Sequence, residues 1–473
     1  THDSNCRERQ MLIRDSINTM KEFINFTPKT REELKTAVNL WCDNKDEALK
    51  IYGHISCWDT HLITDMAGLF ADKQQFNDDI SKWNVSNVKN MNRTFCECRS
   101  FNQHIGNWDV SNVEDMESMF NNCHNFNQPL NGWDVSNVKN MNRMFSICFE
   151  FNQTLNNWNV SNVESMENMF WYCTKFNQPI GNWDVSNVED MEEMFEECEN
   201  FNQPIGNWNV SKVKNMFQLF KNCKKFNQPL NGWDVSNVKN MWNMFHTCEN
   251  FNQPLNDWDV SNVDYMYNIF EQCKEFNQPL NNWNVSNLWS FDTMFKNCKK
   301  FNQPLNGWDV SNARNMESMF QGCENFNQPL NNWDVSNVTN MQRMFYGCEE
   351  FNQPLNNWDV SNVTSMQGMF HRCEEFNQPL NNWDVSDVKS MYSMFCHCSN
   401  FNQPLNKWDV SNVDDMTNLF RDCKKFNQDL NDWNVDSDTT QMYRIFYDAT
   451  IFPYHEKAKW YDWVNNVDDF SDY

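Results

Sequence analysis

The chain has 473 residues, a formal net charge of −26 and a pI of about 4.7. This acidity argues against nucleic acid or an anionic membrane surface as a partner, because binding to phosphate depends on basic surface. The amino terminus is polar and no long apolar run follows it, so we expect no membrane span and see no leader peptide.

Residues 1–54 contain three predicted helices and no repeat. Apolar residues in 11–24 follow a helical spacing. The second helix begins at Thr30, with Glu33 completing a capping box, and the third ends at Gly53, which tolerates a left-handed conformation. We interpret this segment as a helical N-terminal cap that covers the apolar end of a repeat array.

Residues 55–452 are predicted to form a solenoid of about sixteen repeats of 25 residues. A Phe-Asn pair recurs every 25 residues from Phe76 to Phe426, and a tryptophan recurs from Trp58 to Trp433. A fixed period of this length indicates stacked units that contact only their neighbours.

Each repeat is predicted to contain a short strand and a helix. Trp133 and Val135 alternate with a polar residue, as in a strand with one buried face. Ser136 is a good N-cap, and the apolar residues of 138–148 follow a helical spacing. The predicted fold class is therefore α/β, a leucine-rich-repeat-like solenoid with a parallel sheet on one side and short helices on the other.

Residues 453–473 are predicted to form a helical C-terminal cap. Their apolar residues follow an amphipathic spacing after Pro453. These residues are Trp460, Trp463, Val464, Val467 and Phe470. The solenoid is thus expected to carry helical caps at both ends.

The repeat resembles the BspA-like leucine-rich repeats, and most closely their 25-residue mycoplasma-lipoprotein-type branch. The pattern W-D-V-S-N-V-x-x-M-x-x-M-F-x-x-C-x-x-F-N, as it stands from Trp358 to Asn377, carries the resemblance over roughly residues 30–452. Members are mostly bacterial, protist, algal or giant-virus proteins. The resemblance implies a surface or interaction protein and brings no catalytic residues.

Fourteen cysteines form a column from Cys98 to Cys423 on the predicted buried face. A structural metal site needs about four converging ligands, whereas each repeat supplies one thiol. We interpret the column as packed free thiols, which fits a reducing compartment, with pairing between neighbours as the alternative. Cys96 and Cys396 each lie two residues before a column cysteine. The resulting two C-x-C pairs are too few for a metal cluster.

An Asp/Asn column lies between the tryptophan and valine columns and is predicted to point away from the core. Each side chain should hydrogen-bond the local backbone at the Ser-Asn turn. The alternative is that a run of five aspartates binds calcium or a cationic partner. This run is Asp309, Asp334, Asp359, Asp384 and Asp409.

Five aromatic residues break the polar pattern of the predicted outer surface. They form either a docking patch for a protein partner or filler between neighbouring helices. They are Phe217, Trp242, Tyr265, Tyr267 and Trp289. The repeated Phe-Asn-Gln segment is predicted to stack as an amide ladder.

The sequence predicts a protein that is not an enzyme and needs no cofactor or metal. The nine histidines are scattered, and no nucleophile–base pair or phosphate-binding loop is apparent. We expect a scaffold for protein–protein interaction that forms part of a particle, such as a giant-virus virion, in a reducing cytoplasm, with self-association as an option. A secreted or cell-surface adhesin is the alternative, and a calcium-binding repeat the third. Free thiols would favour the particle component over the adhesin.

Overall fold

The computed structural model describes residues 26–436 and 438–461. The chain divides into two compact units, Thr1–Val213 and Lys214–Tyr473. Each unit is a stack of 25-residue repeats, in which equivalent residues of neighbouring repeats lie side by side.

Helices occur only near the chain ends in the part that the structure describes. They are α1 (Arg31–Asp43), α2 (Lys45–Tyr52), a 3-10 helix (Ile55–Cys57) and α3 (Tyr454–Lys457).

Helix α1 begins as the capping pattern predicts. The Thr30 hydroxyl accepts the amide of Glu33 at 3.2 Å, and the Glu33 carboxylate accepts the amide of Lys29 at 2.7 Å. Helix α2 ends at Gly53, where φ is 72°. Both features confirm these two helix boundaries, while the helix predicted in 11–24 lies outside the described residues.

Helix α1 covers the end of the first repeat with two cationic side chains. Arg31 Nε donates to the carbonyl of Ala67 at 3.1 Å, and Lys35 Nζ donates to that of Leu69 at 2.9 Å. In later repeats the equivalent carbonyls, such as that of Asn92, accept amides from the preceding repeat. The helix therefore supplies donors to acceptors that have no preceding repeat.

The core of each repeat consists of nine apolar side chains. In one repeat of the first unit all nine are at most 2% exposed. They are Leu130, Trp133, Val135, Val138, Met141, Met144, Phe145, Cys148 and Phe151. The predicted core columns are therefore confirmed.

The predicted helix of each repeat is wrong. Residues 138–148 form overlapping tight turns, and their amides alternate between two kinds of acceptor. Met144 donates to the Met141 carbonyl at 3.1 Å, whereas Phe145 donates to the Met169 carbonyl of the next repeat at 2.9 Å. An α-helix would use these amides internally, so the turns gain bonds to the neighbouring repeat that a helix could not make.

The predicted strand at Trp133–Val135 is also wrong, because these residues carry no bridge. Parallel bridges lie instead at the residue before the first methionine, as between Asn90 and Asp115. The indole Nε1 of Trp133 donates to the carbonyl of Ile105 in the preceding repeat at 3.0 Å. Neighbouring repeats are therefore parallel as predicted, but the bonds come from other segments.

Two residues of every described repeat adopt a positive φ within the tight turns. Asparagine and glycine occupy several of these positions, as at Asn122 (62°) and Gly322 (71°). Ile147 adopts the same conformation, with φ of 58°. A β-branched residue is strained in this region, because its side chain crowds the backbone.

Replacing Ile147 with asparagine is expected to leave the unfolding free energy at least equal to that of the wild type. Asparagine visits the left-handed region readily, and this preference offsets the apolar packing that half-buried Ile147 provides. Ile147→Ala is the control, since alanine gives up the same packing without this preference. We expect the alanine variant to be about 1 kcal/mol less stable than the asparagine variant in chemical denaturation. Equal stability of the two variants would contradict the interpretation that the positive φ at position 147 strains the wild-type isoleucine.

The C-terminal segment continues the stack. Helix α3 has four residues, and Trp460 follows it rather than lying within it as predicted. Trp460 Nε1 donates to the Leu430 carbonyl at 2.8 Å, and its ring stacks on Trp433 at 5.9 Å. Trp460 thus fills the place of the next core tryptophan. The remaining predicted cap residues, from Trp463 onward, lie outside the described residues.

Candidate functional site

The five aromatic residues singled out in the sequence form one continuous surface in the second unit, called here the aromatic patch. Consecutive rings meet edge to face. Their centroid distances are 5.4 Å for Phe217–Trp242, 5.9 Å for Trp242–Tyr267, 6.1 Å for Tyr265–Tyr267 and 5.6 Å for Tyr267–Trp289. Residues from four consecutive repeats therefore form one row of rings in contact.

The patch is accessible to solvent. Trp242, Tyr265 and Trp289 are 41%, 48% and 49% exposed. Eight large apolar side chains are exposed among the described residues, and three of them lie here. Exposed aromatic surface of this density is typical of an interaction site.

Tyr265 occupies a position that serves a structural purpose in other repeats. There, a polar side chain accepts the amide two residues on, as Asn240 Oδ1 does from Trp242 at 3.0 Å. A tyrosine ring cannot make this bond. The bridge that would join Tyr265 to Ser290 is also absent from the described part of this unit. This repeat has an exposed ring in place of the side-chain hydrogen bond that the other repeats make here.

Polar groups beneath the patch are incompletely satisfied. The Tyr267 hydroxyl is buried without a hydrogen-bond partner, and burial, followed by nearby Tyr265 and Asp292, raises the pKa of Tyr267. Burial, then the charges of Glu317 and Glu271, raises the pKa of Asp292 to about 6.

The aspartate row makes the local bonds expected from the sequence. The carboxylates of Asp309 and Asp409 accept the amides of Ser311 and Ser411, each at 3.1 Å. Bonds from the serine hydroxyl, then the serine amide, lower the pKa of Asp309 and Asp409. Asp334, Asp359 and Asp384 make equivalent bonds. Calcium binding by this row stays a prediction.

The cysteine column consists of buried thiols. None of the eighteen cysteines in the described residues forms a disulfide, while Cys6 lies outside them. Column thiols donate to a phenylalanine carbonyl of the preceding repeat, as Cys148 does to Phe120 at 3.0 Å. Burial raises the pKa of Cys148 well above its usual range. These thiols are poor nucleophiles, because the thiolate is the reactive form.

A cleft of about 430 Å³ lies between α1 and the first repeats, lined by Trp41, Cys42, Lys45, Lys73 and Asp78 among others. Burial raises the pKa of Cys42 to about 11. The charge of Lys73 lowers this pKa and that of Asp43 raises it, both by less than burial does. The thiol is therefore protonated at neutral pH. The ion pair between Lys45 and Asp78, at 2.6 Å, joins α2 to the first repeats across this cleft.

One cluster was missed in the sequence. The structure brings His371, Cys396 and His397 together in the second unit, with their ligand atoms within 4.8 Å of one another. His371 and Cys396 are 25 residues apart and thus occupy the same column of the repeat. Alignment of the variable columns, rather than of the constant ones, would have revealed this pairing.

No helix in the described ranges is long and apolar enough to cross a membrane.

Comparison with solved structures gives weak likenesses. A leucine-rich-repeat protein of Leptospira interrogans is 8% identical, with 79% of this chain and 91% of that chain covered and a TM-score of 0.18. A TLR13–ssRNA13 complex is 9% identical, with 80% and 86% covered and a TM-score of 0.15. These values are too low to support an inference.

No curated protein matches the chain in sequence. A family described as "Mycoplasma protein of unknown function, DUF285" does match, in five overlapping segments. The segments are residues 43–158, 141–246, 229–332, 303–398 and 380–472. Because together they span nearly the whole chain, including all the repeats described above, the protein belongs to the DUF285 family.

Proposed function

We propose that this chain is a non-enzymatic repeat scaffold that binds a protein partner through the aromatic patch. The observation that carries the proposal is the convergence of five aromatic side chains where other repeats present mostly polar residues. Tryptophan and tyrosine dominate the energetically important centres of protein interfaces. The rings are already held by edge-to-face contacts, so binding would cost little side-chain entropy.

The partner segment should combine apolar anchors with basic residues. The anchors would pack against the exposed faces of the Trp242 and Trp289 rings. The chain carries a net charge of −26, and such a field favours the approach of cationic partners. Asp264 precedes Tyr265 in the sequence, and Asp292 lies close enough to Tyr267 to raise its pKa, so both provide local acidic groups.

Selection from a displayed random-peptide library against the full chain tests the proposal. We expect the selected peptides to carry an aromatic or leucine residue beside lysine or arginine. The Trp242→Ser/Trp289→Ser double variant should bind these peptides about tenfold more weakly or worse, as measured by fluorescence anisotropy. Tyr392→Ser is the matched control, because Tyr392 is 40% exposed at the repeat position of Trp242 but lies outside the patch. It should bind like the wild type.

Two outcomes would contradict the proposal. Equal peptide binding by the double variant and the wild type would exclude the patch as the docking site. A fall in melting temperature of the double variant as large as that from a core tryptophan substitution would identify the rings as packing filler. We expect a small change, since both rings are already 41–49% exposed.

The setting that we propose is a particle or assembly formed in a reducing compartment, with a secreted or surface adhesin as the alternative. The buried thiol column, in which the described cysteines form no disulfide, supports the first, because disulfides persist mainly in oxidising environments. The resemblance to BspA-like surface repeats supports the second. Titration of the thiols distinguishes the two settings, if the protein is purified from its natural source and then denatured. Free cysteines throughout favour the particle in a reducing compartment, and oxidised cysteines favour the secreted or surface adhesin.

A further inference from the structure

A second cluster of chemically capable side chains lies outside the aromatic patch. His371 and Cys396 each follow the core phenylalanine of consecutive repeats, so the 25-residue period places them side by side. His397 comes next in the chain, with a positive φ of 62°. The ligand atoms of all three lie within 4.8 Å of one another.

We propose that His371, Cys396 and His397 form a binding site for Zn²⁺. One thiolate and two imidazoles are ligands that zinc prefers. Three protein ligands leave a fourth position for water, as in open zinc sites. Donor atoms within 4.8 Å can converge on one ion through small side-chain movements.

His371 is prepared for coordination by its surroundings. Its Nδ1 is buried and has no hydrogen-bond partner. The ring stacks on Tyr346 with a centroid distance of 4.3 Å and an interplanar angle of 3°, which fixes its orientation. Burial, then nearby His397 and Arg372, lowers the pKa of His371 to about 4. The imidazole is therefore neutral at physiological pH, the form that binds metals.

His397 has a carboxylate behind it. Its Nδ1 lies 3.7 Å from Asp422 Oδ2. Metal-binding histidines commonly direct their second nitrogen toward a carboxylate, which orients the ring and strengthens the ligand. The side chain of His397 is 39% exposed, so an ion can reach the cluster from solvent.

Cys396 supplies the anionic ligand. It is 3% exposed, and burial raises the pKa of its thiol to about 12. Coordination replaces the thiol proton: the S–H bond breaks, a sulfur–zinc bond forms and one proton passes to solvent. The negative charge of the thiolate offsets the nearby arginines, and Arg421 is itself paired with Asp422 at 3.4 Å.

Zinc affinity should rise about tenfold per pH unit around neutrality, because one proton is released per ion bound. Charged and titratable groups that face His371 and Cys396 modulate this dependence. They are Arg343, Arg372, His397, Arg421 and Asp422. A pH-independent affinity would show that Cys396 is not a ligand.

Titration of the full chain with Co²⁺, followed by Zn²⁺, tests the site. We expect one Co²⁺ per chain to give a near-ultraviolet thiolate-to-cobalt charge-transfer band, which Zn²⁺ abolishes. Cys396→Ser should remove the band. His371→Ala and His397→Ala should each weaken Co²⁺ binding about tenfold or more.

Cys96→Ser is the matched control, because Cys96 occupies the same position after a core phenylalanine but without histidine neighbours. Its spectrum and affinity should equal those of the wild type. A band that persists in Cys396→Ser, or a wild-type chain that gives no band, would overturn the proposal. The wild-type measurement stands even where a substitution impairs folding.

Discussion

Replacing Trp258 with alanine is expected to lower the free energy of unfolding by about 3–5 kcal/mol. The side chain is 2% exposed, and its ring stacks on Trp233 at 6.5 Å. Its Nε1 donates to the carbonyl of Leu230 at 3.0 Å. The substitution removes both the apolar burial and this bond between repeats, and leaves a cavity. Chemical denaturation of the full chain, followed by circular dichroism, measures the loss.

Two further variants separate the contributions. Trp258→Phe keeps an aromatic ring but loses the indole donor. Because the Leu230 carbonyl still accepts the Trp233 amide at 3.0 Å, we expect this variant to lose much less than Trp258→Ala, about 1–2 kcal/mol. Trp242→Ala, on the exposed aromatic patch, should cost less than Trp258→Ala. If all three changes cost the same, the tryptophan column would not be the core that we describe.

Stacking also determines how such a loss spreads. In a repeat array, stability is approximately the sum of the repeats and the interfaces between neighbours. Trp258 lies at the interface with the preceding repeat, since it contacts Trp233 by stacking and Leu230 by hydrogen bonding. Its loss should therefore weaken the neighbouring repeat as well as its own.

The core of this fold could be predicted from period and spacing, but the backbone could not. Residues at i, i+3, i+4 and i+7, such as Met141, Met144, Phe145 and Cys148, are buried as predicted. This spacing fits a helix, yet the overlapping turns that the structure contains bury the same positions. The apolar pattern alone cannot distinguish the two, because both place every third or fourth side chain on one face.

A signal against the helix was present in the sequence. Gly322 and Gly347 lie in the same column of consecutive repeats, within the predicted helices, and both adopt a φ of 71°. Glycine is unfavourable in the interior of a helix, so its recurrence indicates a left-handed position. Hydrogen bonds between repeats stabilise the turns. These bonds depend on how the backbones stack, so they cannot be predicted from the sequence of one repeat.

The sequence identified the residues of the aromatic patch but not their environment. Phe217, Trp242 and Tyr267 share one column, and the period alone places them in a row. The unsatisfied hydroxyl of Tyr267 and the missing bridge between Tyr265 and Ser290 can be seen only in the three-dimensional structure. The His371–Cys396 pairing, by contrast, follows from the period and required only that variable columns be compared.

The amide ladder joins repeats through one repeated asparagine. Asn352 Oδ1 accepts the amide of Asn377 at 3.0 Å and Nε2 of Gln378 at 2.9 Å. The Asn352 amide in turn donates to Asn327 Oδ1 at 3.0 Å. Each such side chain therefore accepts two donors from the next repeat, and one of these donors is a backbone amide.

Replacing Asn352 with alanine is expected to lower the free energy of unfolding by about 1–3 kcal/mol. The half-buried Asn377 amide loses its acceptor, and an unsatisfied donor costs its desolvation energy. Asn352→Asp is the matched control, because a carboxylate oxygen accepts both donors in the same place. It should retain most of the stability in chemical denaturation. Equal losses for the two variants would mean that the position contributes through packing, whereas a loss confined to alanine assigns the effect to the acceptor.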